Sequence, residues 1–166
     1  MTDADIAALV LRCASGVILL AHGRNHGWGK GGLQGTASWF ESIGLRPARV
    51  HAAVSAYLEV AAGAALLVGL LVPFAAAAGV GVMTTAFVTV HRKNGFFIFN
   101  EGEGYEYVAS LAFALVALSV LGAGKVAIDH AIGFTPHGGW VGLAVAAGGV
   151  LGSGLMLATS WRPPRS

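Results

Sequence analysis

The sequence predicts an all-α integral membrane protein, and three features of composition and patterning support this. Of the 166 residues, 55% are hydrophobic and only 11% are charged, whereas a soluble domain carries about 25% charged residues. The mean hydropathy is +0.71. Five apolar stretches approach the length of about 20 residues that a helix needs to cross a bilayer. The 25 glycines further indicate helices that pack closely.

The same composition excludes several function classes. With Cys13 as its single cysteine, the chain cannot form an intrachain disulfide, a CxxC redox motif or an all-cysteine zinc site. A net charge of +2 on few charged residues does not make a nucleic-acid-binding surface. The expected partner is therefore the lipid bilayer, and nucleic acid is not expected.

The five predicted spans follow one another without a linker long enough to separate domains, so residues 1–166 are expected to form one membrane domain. Acidic residues precede the first span (MTDAD), which argues against a signal peptide. Pro73 separates the second and third spans, which are expected to form an antiparallel hairpin. Trp140 and Trp161 flank the last span as interfacial anchors. The spans cover residues 6–22, 50–71, 74–90, 106–121 and 140–161.

A short interfacial helix is predicted between the first two spans, over residues 38–43. Ser38 and Glu41 have the spacing of a capping box, and Gly44 fits a helix stop. An apolar face along this helix would place it on the membrane surface. That face consists of Trp39, Phe40 and Ile43.

The basic residues predict the orientation. Eight of them lie on one side of the predicted spans and only Lys125 lies on the other. Because basic loops stay in the cytoplasm, we expect a multi-pass inner-membrane protein with its amino terminus outside and its carboxyl terminus cytoplasmic. The eight residues are Arg24, Lys30, Arg46, Arg49, Arg92, Lys93, Arg162 and Arg165.

Two ionisable residues, Arg12 and Glu59, lie inside predicted spans, where a charge is costly unless it faces protein or a water-filled cavity. Counted from the span ends, both lie roughly 13–15 Å from the same face. We therefore expect the two side chains to contact each other. The contact would either line a polar pocket or act as a structural ion pair, and the sequence leaves both readings open.

Further ionisable groups collect at the cytoplasmic ends of the spans. His22 and His26 have the i, i+4 spacing of a metal-binding pair. Gly23 and Gly27 argue against a helix there, and we predict no metal site, although His51 and His91 lie at the same level. The sequence predicts a polar pocket in the cytoplasmic half of the bundle. Its candidate residues are Arg12, His22, Glu59, His91 and Glu106.

Three other features are expected to serve packing and capping. Gly63, beside Glu59, and the GxxxG pair Gly148 and Gly152 would let helices approach within the chain or between chains. Asp129 is expected to cap a short helix or turn near Lys125.

An ordered set of motifs resembles a known family. Residues 12–16 read RCASG and are followed by His22-Gly23; residues 58–63 read LEVAAG and are followed by LVGL. Tyr105-Glu106 opens the fourth span, and GAGKVAID covers residues 122–129. This order, over residues 9–129, resembles the DoxX family of bacterial membrane proteins.

The resemblance implies a four-helix membrane bundle, to which the span after Pro136 is an addition that could serve assembly. It also implies a redox setting, because relatives include the large subunit of thiosulfate:quinone oxidoreductase and others are linked to redox partner proteins. Many members have no assigned activity, so the resemblance informs the fold better than the function.

The function expected from residues and resemblance together is a component of a membrane redox system. It would act with quinone or a soluble redox partner, and Arg12 would bind an anion or a quinone carbonyl while Glu59 or a histidine moves protons. The sequence contains no cysteine pair and no clear haem or flavin motif, so electrons would come from a partner subunit. Two alternatives stay open, an accessory or scaffold subunit of a larger complex and a small-molecule transporter or binding protein. Whether the chain is itself an enzyme or forms a homo-oligomer also stays open.

Overall fold

The computed structural model describes residues 1–163, and this part of the chain contains seven α-helices. A 3-10 turn over His91–Lys93 follows the fourth helix. Arg165, one of the basic residues counted above, lies outside the described residues. The helices are α1 (Asp3–Trp28), α2 (Gly32–Ser42), α3 (Ala48–Val68), α4 (Val72–Thr89), α5 (Glu106–Leu121), α6 (Ile128–Ala131) and α7 (Gly139–Ser160).

Four of these helices, α1, α3, α4 and α7, are long and apolar enough to cross a membrane. Helix α5 begins and ends where the fourth span was predicted, but its 16 residues extend only about 24 Å. That is shorter than the ~30 Å hydrocarbon core of a bilayer. The prediction of an all-α membrane protein is confirmed, with four full-length apolar helices and a shorter fifth.

Helices α1 and α3 run antiparallel and approach each other closely at glycines. A Cβ atom added to Gly16 would lie 2.9 Å from the carbonyl oxygen of Gly63, and one added to Gly23 would lie 2.7 Å from that of Ala56. These contacts place Gly16 opposite Gly63 and Gly23 opposite Ala56. The expectation that Gly63 lets helices approach is confirmed.

Helix α1 is longer than predicted, because it continues through His22 and His26 to Trp28. The expectation that Gly23 and Gly27 interrupt the helix was wrong. A glycine within a helix costs about 1 kcal/mol in propensity. At Gly23 the close approach of α3, which a side chain would prevent, offsets that cost.

Helix α2 starts at Gly32, six residues before the predicted cap. Ser38 lies inside the helix, where its hydroxyl donates to the carbonyl oxygen of Gln34, so the predicted capping box was wrong. The end was predicted correctly, since Gly44 follows the last turn with a φ of +91°. Phe40 is buried against the bundle and Trp39 is 44% exposed, and the two residues line one cavity together with Ile43.

Helix α7 packs in parallel along α4. Gly149 contacts Val80, and the hydroxyls of Thr85 and Ser153 lie 2.8 Å apart one turn further along. A Cβ added to Gly148 or Gly152 would meet no atom within 4 Å. The glycine that brings α7 against α4 is therefore Gly149, and the expectation that the GxxxG pair does so within the chain was wrong.

The helices bring several of their ends together at one end of the bundle. The hydrogen bond between His22 and Tyr107 joins the last turns of α1 to the start of α5. An isolated β-bridge joins Leu45 to Trp161, at the end of α7. We call this end, which carries His22, His26 and His91, the histidine end. The opposite end, which carries Arg12 and Asp129, is the arginine end.

Candidate functional site

The candidate site is built around the buried carboxylate of Glu59, which is 1% exposed. Ser55, one turn earlier on α3, donates its hydroxyl to Oε1 of Glu59. Nδ1 of His26, on α1, lies 3.1 Å from the same oxygen and 3.2 Å from the Ser55 hydroxyl. The absent side chain of Gly23 lets α1 come close enough for this contact, because a Cβ there would lie 2.9 Å from Cβ of Glu59.

A second protonatable pair adjoins the first. His22 lies one turn before His26 on α1, and the two ring centroids are 6.4 Å apart. Nε2 of His22 lies 3.1 Å from the hydroxyl of Tyr107, and the two rings stack with centroids 5.7 Å apart. Imidazole, phenol and carboxyl groups can each bind or release a proton. Tyr107, His22, His26 and Glu59 thus form a series of neighbouring proton-exchanging groups.

Both pairs, His26–Glu59 and His22–Tyr107, line a cavity of about 480 Å³ between α1, α2, α3, α4 and α5. This volume falls within the roughly 300–1,000 Å³ of small-molecule sites. His91 also lines the cavity, and its Nδ1 lies 2.8 Å from the carbonyl oxygen of Glu103. We call this space the polar cavity. Its ionisable and polar lining residues include His22, Asn25, His26, Lys30, Glu59, His91, Glu103 and Tyr107.

A second cavity of about 440 Å³ lies between α2, α3, α4 and α7, and we call it the apolar cavity. Most of its lining consists of aliphatic, aromatic and glycine residues. His51 also lines it, and the Nε2 atom of His51 is buried without a hydrogen-bond partner among the described residues. The two cavities adjoin, since they share five of their lining residues. These are His26, Trp39, Val82, Ala86 and Val90.

Arg12 lies away from the polar cavity, and the predicted contact with Glu59 was wrong. The error came from the helix register. Because α1 extends to Trp28, Glu59 packs beside Gly23, which is eleven residues or roughly 16 Å from Arg12 along the helix.

At the arginine end, the side chain of Arg12 is held by contacts within the protein. The guanidinium is buried and its Nη2 donates to the carbonyl oxygen of Val126. Its Nε and Nη1 atoms have no hydrogen-bond partner in the described part of the chain. Arg12 therefore joins α1 to the segment that precedes α6.

Asp129 has a different role from the predicted local cap. Its carboxylate accepts hydrogen bonds from the backbone amides of Leu71 at 2.7 Å and Val72 at 2.9 Å. Leu71 is the N-cap residue of α4 and Val72 is its first residue, so these amides lie at a helix start, where intrahelical acceptors are absent. Asp129 thus caps a long helix that lies more than 50 residues earlier in the sequence.

Glu106 also lies outside the walls of the polar cavity. Its carboxylate accepts a hydrogen bond from the backbone amide of Ile98 at 3.2 Å and so holds the loop before α5. Of the five candidate residues, the structure brings together His22, Glu59 and His91. Within residues 1–163, no group of three His, Cys, Asp or Glu side chains is arranged to hold a metal ion.

Sequence reasoning missed several groups that accompany Glu59. Ser55 and Glu59 have i, i+4 spacing on α3, which is a local signal that could have paired them. The same spacing of His22 and His26 on α1 was recognised, but His26 was left out of the candidate residues. Tyr107 and Trp39 come from α5 and α2, and no local pattern connects them to Glu59.

Comparison with known proteins gives a family but no individual relative. Neither the curated proteins nor the solved structures contain a significant match. The family model of DoxX matches residues 7–92, slightly more than half of the chain. The match includes the helices that carry Arg12, His22, Glu59 and His91, and it ends before α5 and α7. The chain therefore belongs to the DoxX family.

Proposed function

We propose that this protein is a membrane component of a redox system that binds a quinone in the polar cavity and delivers protons to it. One observation carries the proposal. A buried carboxylate, Glu59, pairs with an imidazole, His26, at the wall of a cavity of ligand size. In a membrane, a buried ionisable side chain that faces a cavity is a functional candidate by default.

The chemistry of quinone reduction suits the groups around the cavity. Conversion of a quinone to a quinol takes up two electrons and two protons, and an O–H bond forms at each carbonyl oxygen. The His26–Glu59 pair would supply one proton and the Tyr107–His22 pair the other. The electrons would come from a redox partner protein.

Trp39 offers a direct way to test binding, because its indole lines both cavities. A quinone within the polar cavity should quench Trp39 fluorescence. The experiment uses the protein in lipid nanodiscs, titrated with a short-chain benzoquinone whose concentration is expressed as a mole fraction in the bilayer. A Trp39→Phe variant identifies the part of the quenching that comes from the site.

Glu59→Gln replaces the carboxylate that pairs with His26 by a neutral amide. Because a hydrogen bond to a charged group contributes about 1.5–3 kcal/mol, the quinone affinity measured by site-specific quenching should fall by about tenfold or more. Glu106→Gln is the matched control, because that carboxylate contacts the Ile98 amide outside the cavity, and it should leave quenching unchanged. Equal quenching in the wild-type protein and Glu59→Gln would contradict the proposal and favour an accessory or scaffold role.

We also propose that the histidine end faces the cytoplasm from the inner membrane. Seven described basic residues lie at or beyond that end, and Lys125 lies beyond the other. They are Arg24, Lys30, Arg46, Arg49, Arg92, Lys93 and Arg162. In this orientation the polar cavity lies in the cytoplasmic half of the bundle.

Labelling of introduced cysteines in intact cells tests this orientation. The native Cys13 is exposed on α1 and is first replaced by serine. A cysteine at Gly133, exposed near the arginine end, should react with an impermeant reagent, whereas one at Glu101, exposed in the loop before α5, should not. The reverse pattern would overturn the orientation.

A further inference from the structure

We infer that the quinone carries an apolar chain, and that this chain lies in the apolar cavity between α2, α3, α4 and α7. The inference rests on the proposed function and adds the class of quinone, a lipid-soluble one whose ring occupies the polar cavity. Its starting point is that the two cavities are lined in common by His26 and Trp39. A ring hydrogen-bonded beside His26 would therefore direct a chain past Trp39 into the apolar cavity.

The walls of the apolar cavity match a hydrocarbon chain, because its hydroxyl groups are already hydrogen-bonded within the protein. Those of Thr85 and Ser153 lie 2.8 Å apart and bond each other. The hydroxyl of Thr89 donates to the carbonyl oxygen of Thr85. The hydroxyl of Ser55 donates to Glu59. These hydroxyls therefore require no polar ligand. Of the remaining lining, Nε2 of His51 is buried without a hydrogen-bond partner among the described residues, and the rest is mainly aliphatic and aromatic.

Helix α7 supplies one wall of the apolar cavity through its glycines. Gly148 and Gly152 line the space, and a Cβ at either position would meet no atom within 4 Å. Because α7 packs on α4 through Gly149 instead, the two open glycines leave room without contributing to the helix contact. Their missing side chains leave a smooth surface along which a flexible chain can lie.

Helix α7 contributes a wall of this cavity from the second half of the chain. The family match ends at residue 92, so the wall formed by α7 lies beyond it. The His26–Glu59 pair, which would bind the quinone ring, and the α7 wall, which would contact its hydrocarbon chain, therefore come from different parts of the sequence. Substitutions in α7 can accordingly alter the chain site and leave the headgroup site intact.

The test compares two probes, a dimethoxy-methyl benzoquinone and the same ring with a decyl chain, in wild-type protein and in α7 variants. Gly152→Leu and Gly148→Leu should weaken binding of the decyl compound by about tenfold or more, because the leucine side chain and the decyl chain cannot occupy the same volume. Binding of the chain-free ring should stay within about twofold of wild type. Trp39 quenching in nanodiscs measures both affinities, with each probe given as a mole fraction in the bilayer.

Gly154→Leu is the matched control. It lies on the same helix, has equally open space at its Cβ position and lines neither cavity, so it should change neither affinity. An unchanged melting temperature shows that the variants fold. If Gly152→Leu does not fold, Gly152→Ala introduces a smaller side chain at the same position.

The outcomes separate the two proposals. If the leucine variants affect both probes equally, or neither, the chain inference is overturned while the quinone site stands. If neither probe quenches Trp39 in the wild-type protein, the proposed function fails and the inference fails with it.

Discussion

Two buried carboxylates, Glu59 at the histidine end and Asp129 at the arginine end, differ in the kind of partner they have. Asp129 accepts hydrogen bonds from two backbone amides, those of Leu71 and Val72. Glu59 instead contacts side chains, the hydroxyl of Ser55 and the imidazole of His26. A backbone amide does not release its proton, whereas an imidazole exchanges protons near neutral pH. The partners of Asp129 therefore hold structure, and those of Glu59 can transfer protons.

The positions of the two cavities also distinguish the two ends of the bundle. Glu59 lines the polar cavity, whereas neither Arg12 nor Asp129 lines the polar or the apolar cavity. Burial alone therefore does not distinguish a carboxylate that caps a helix, such as Asp129, from one that can donate protons, such as Glu59. The chemical nature of the partner and the neighbouring space distinguish the two.

The largest expected effect is at the arginine end. Asp129→Ala removes the carboxylate that accepts hydrogen bonds from both backbone amides at the start of α4. We expect a loss of about 3–5 kcal/mol in the free energy of unfolding, since each of the two hydrogen bonds to this charged group contributes about 1.5–3 kcal/mol. Denaturant unfolding in detergent measures it. Asp3→Ala, at an exposed position, should change stability by less than about 0.5 kcal/mol. A small effect of Asp129→Ala would show that this carboxylate is not structural.

A smaller effect is expected where α1 meets α3 beside Glu59. Gly23→Ala would place a Cβ 2.7 Å from both Ala56 O and Val60 N, and backbone atoms cannot yield as a flexible side chain can. We expect a loss of about 1–3 kcal/mol from overpacking. Gly27→Ala, one turn later, would meet only Cβ of Ala56 at 3.4 Å and should be neutral or stabilising. Equal effects of the two substitutions in the same unfolding assay would contradict this close approach.

Glu59→Gln should change stability little. The amide oxygen can still accept a hydrogen bond from Ser55 and interact with His26, so we expect a loss of no more than about 1 kcal/mol in the free energy of unfolding. The same variant should weaken quinone binding by about tenfold or more, as described above. A loss of several kcal/mol in detergent unfolding would make Glu59 a structural residue like Asp129 and remove the difference between the two ends.

The smallest expected quantity is the coupling between the two ends. Arg12→Met and Glu59→Gln should be additive to within about 0.3–0.5 kcal/mol in a double-mutant cycle, because they share no partner. Arg12→Lys replaces Arg12→Met if the latter does not fold. A coupling energy above about 1 kcal/mol would instead support the direct contact between Arg12 and Glu59 that the sequence predicted.

The helices themselves could be predicted from sequence because each depends on a local property. Residues 106–121 were predicted as a span and form α5 with those bounds. The end of α1 could not be predicted in this way. Gly23 reads as a helix breaker when its propensity is considered alone, and it is helical because α3 packs against it.

The candidate site was predictable only in part. His22, Glu59 and His91 were expected in one pocket and do line one cavity, because they lie near span ends at the same side of the bundle. Tyr107 and Trp39 join them through helices whose own patterns carry no such information. Arg12 was assigned to the same group because its depth was counted from His22, the predicted end of the span, whereas the helix ends six residues later at Trp28.

By itself, the sequence determined the membrane class, the order of the helices and the family, since hydropathy, span length and short motifs are properties of the chain read in order. The tertiary structure alone decided which ionisable groups meet. That choice depends on the register between α1 and α3, where Gly16 faces Gly63 and Gly23 faces Ala56. Register arises from close contact between two backbones, and a shift of two turns exchanges the partners of every buried charge while it leaves composition and periodicity unchanged.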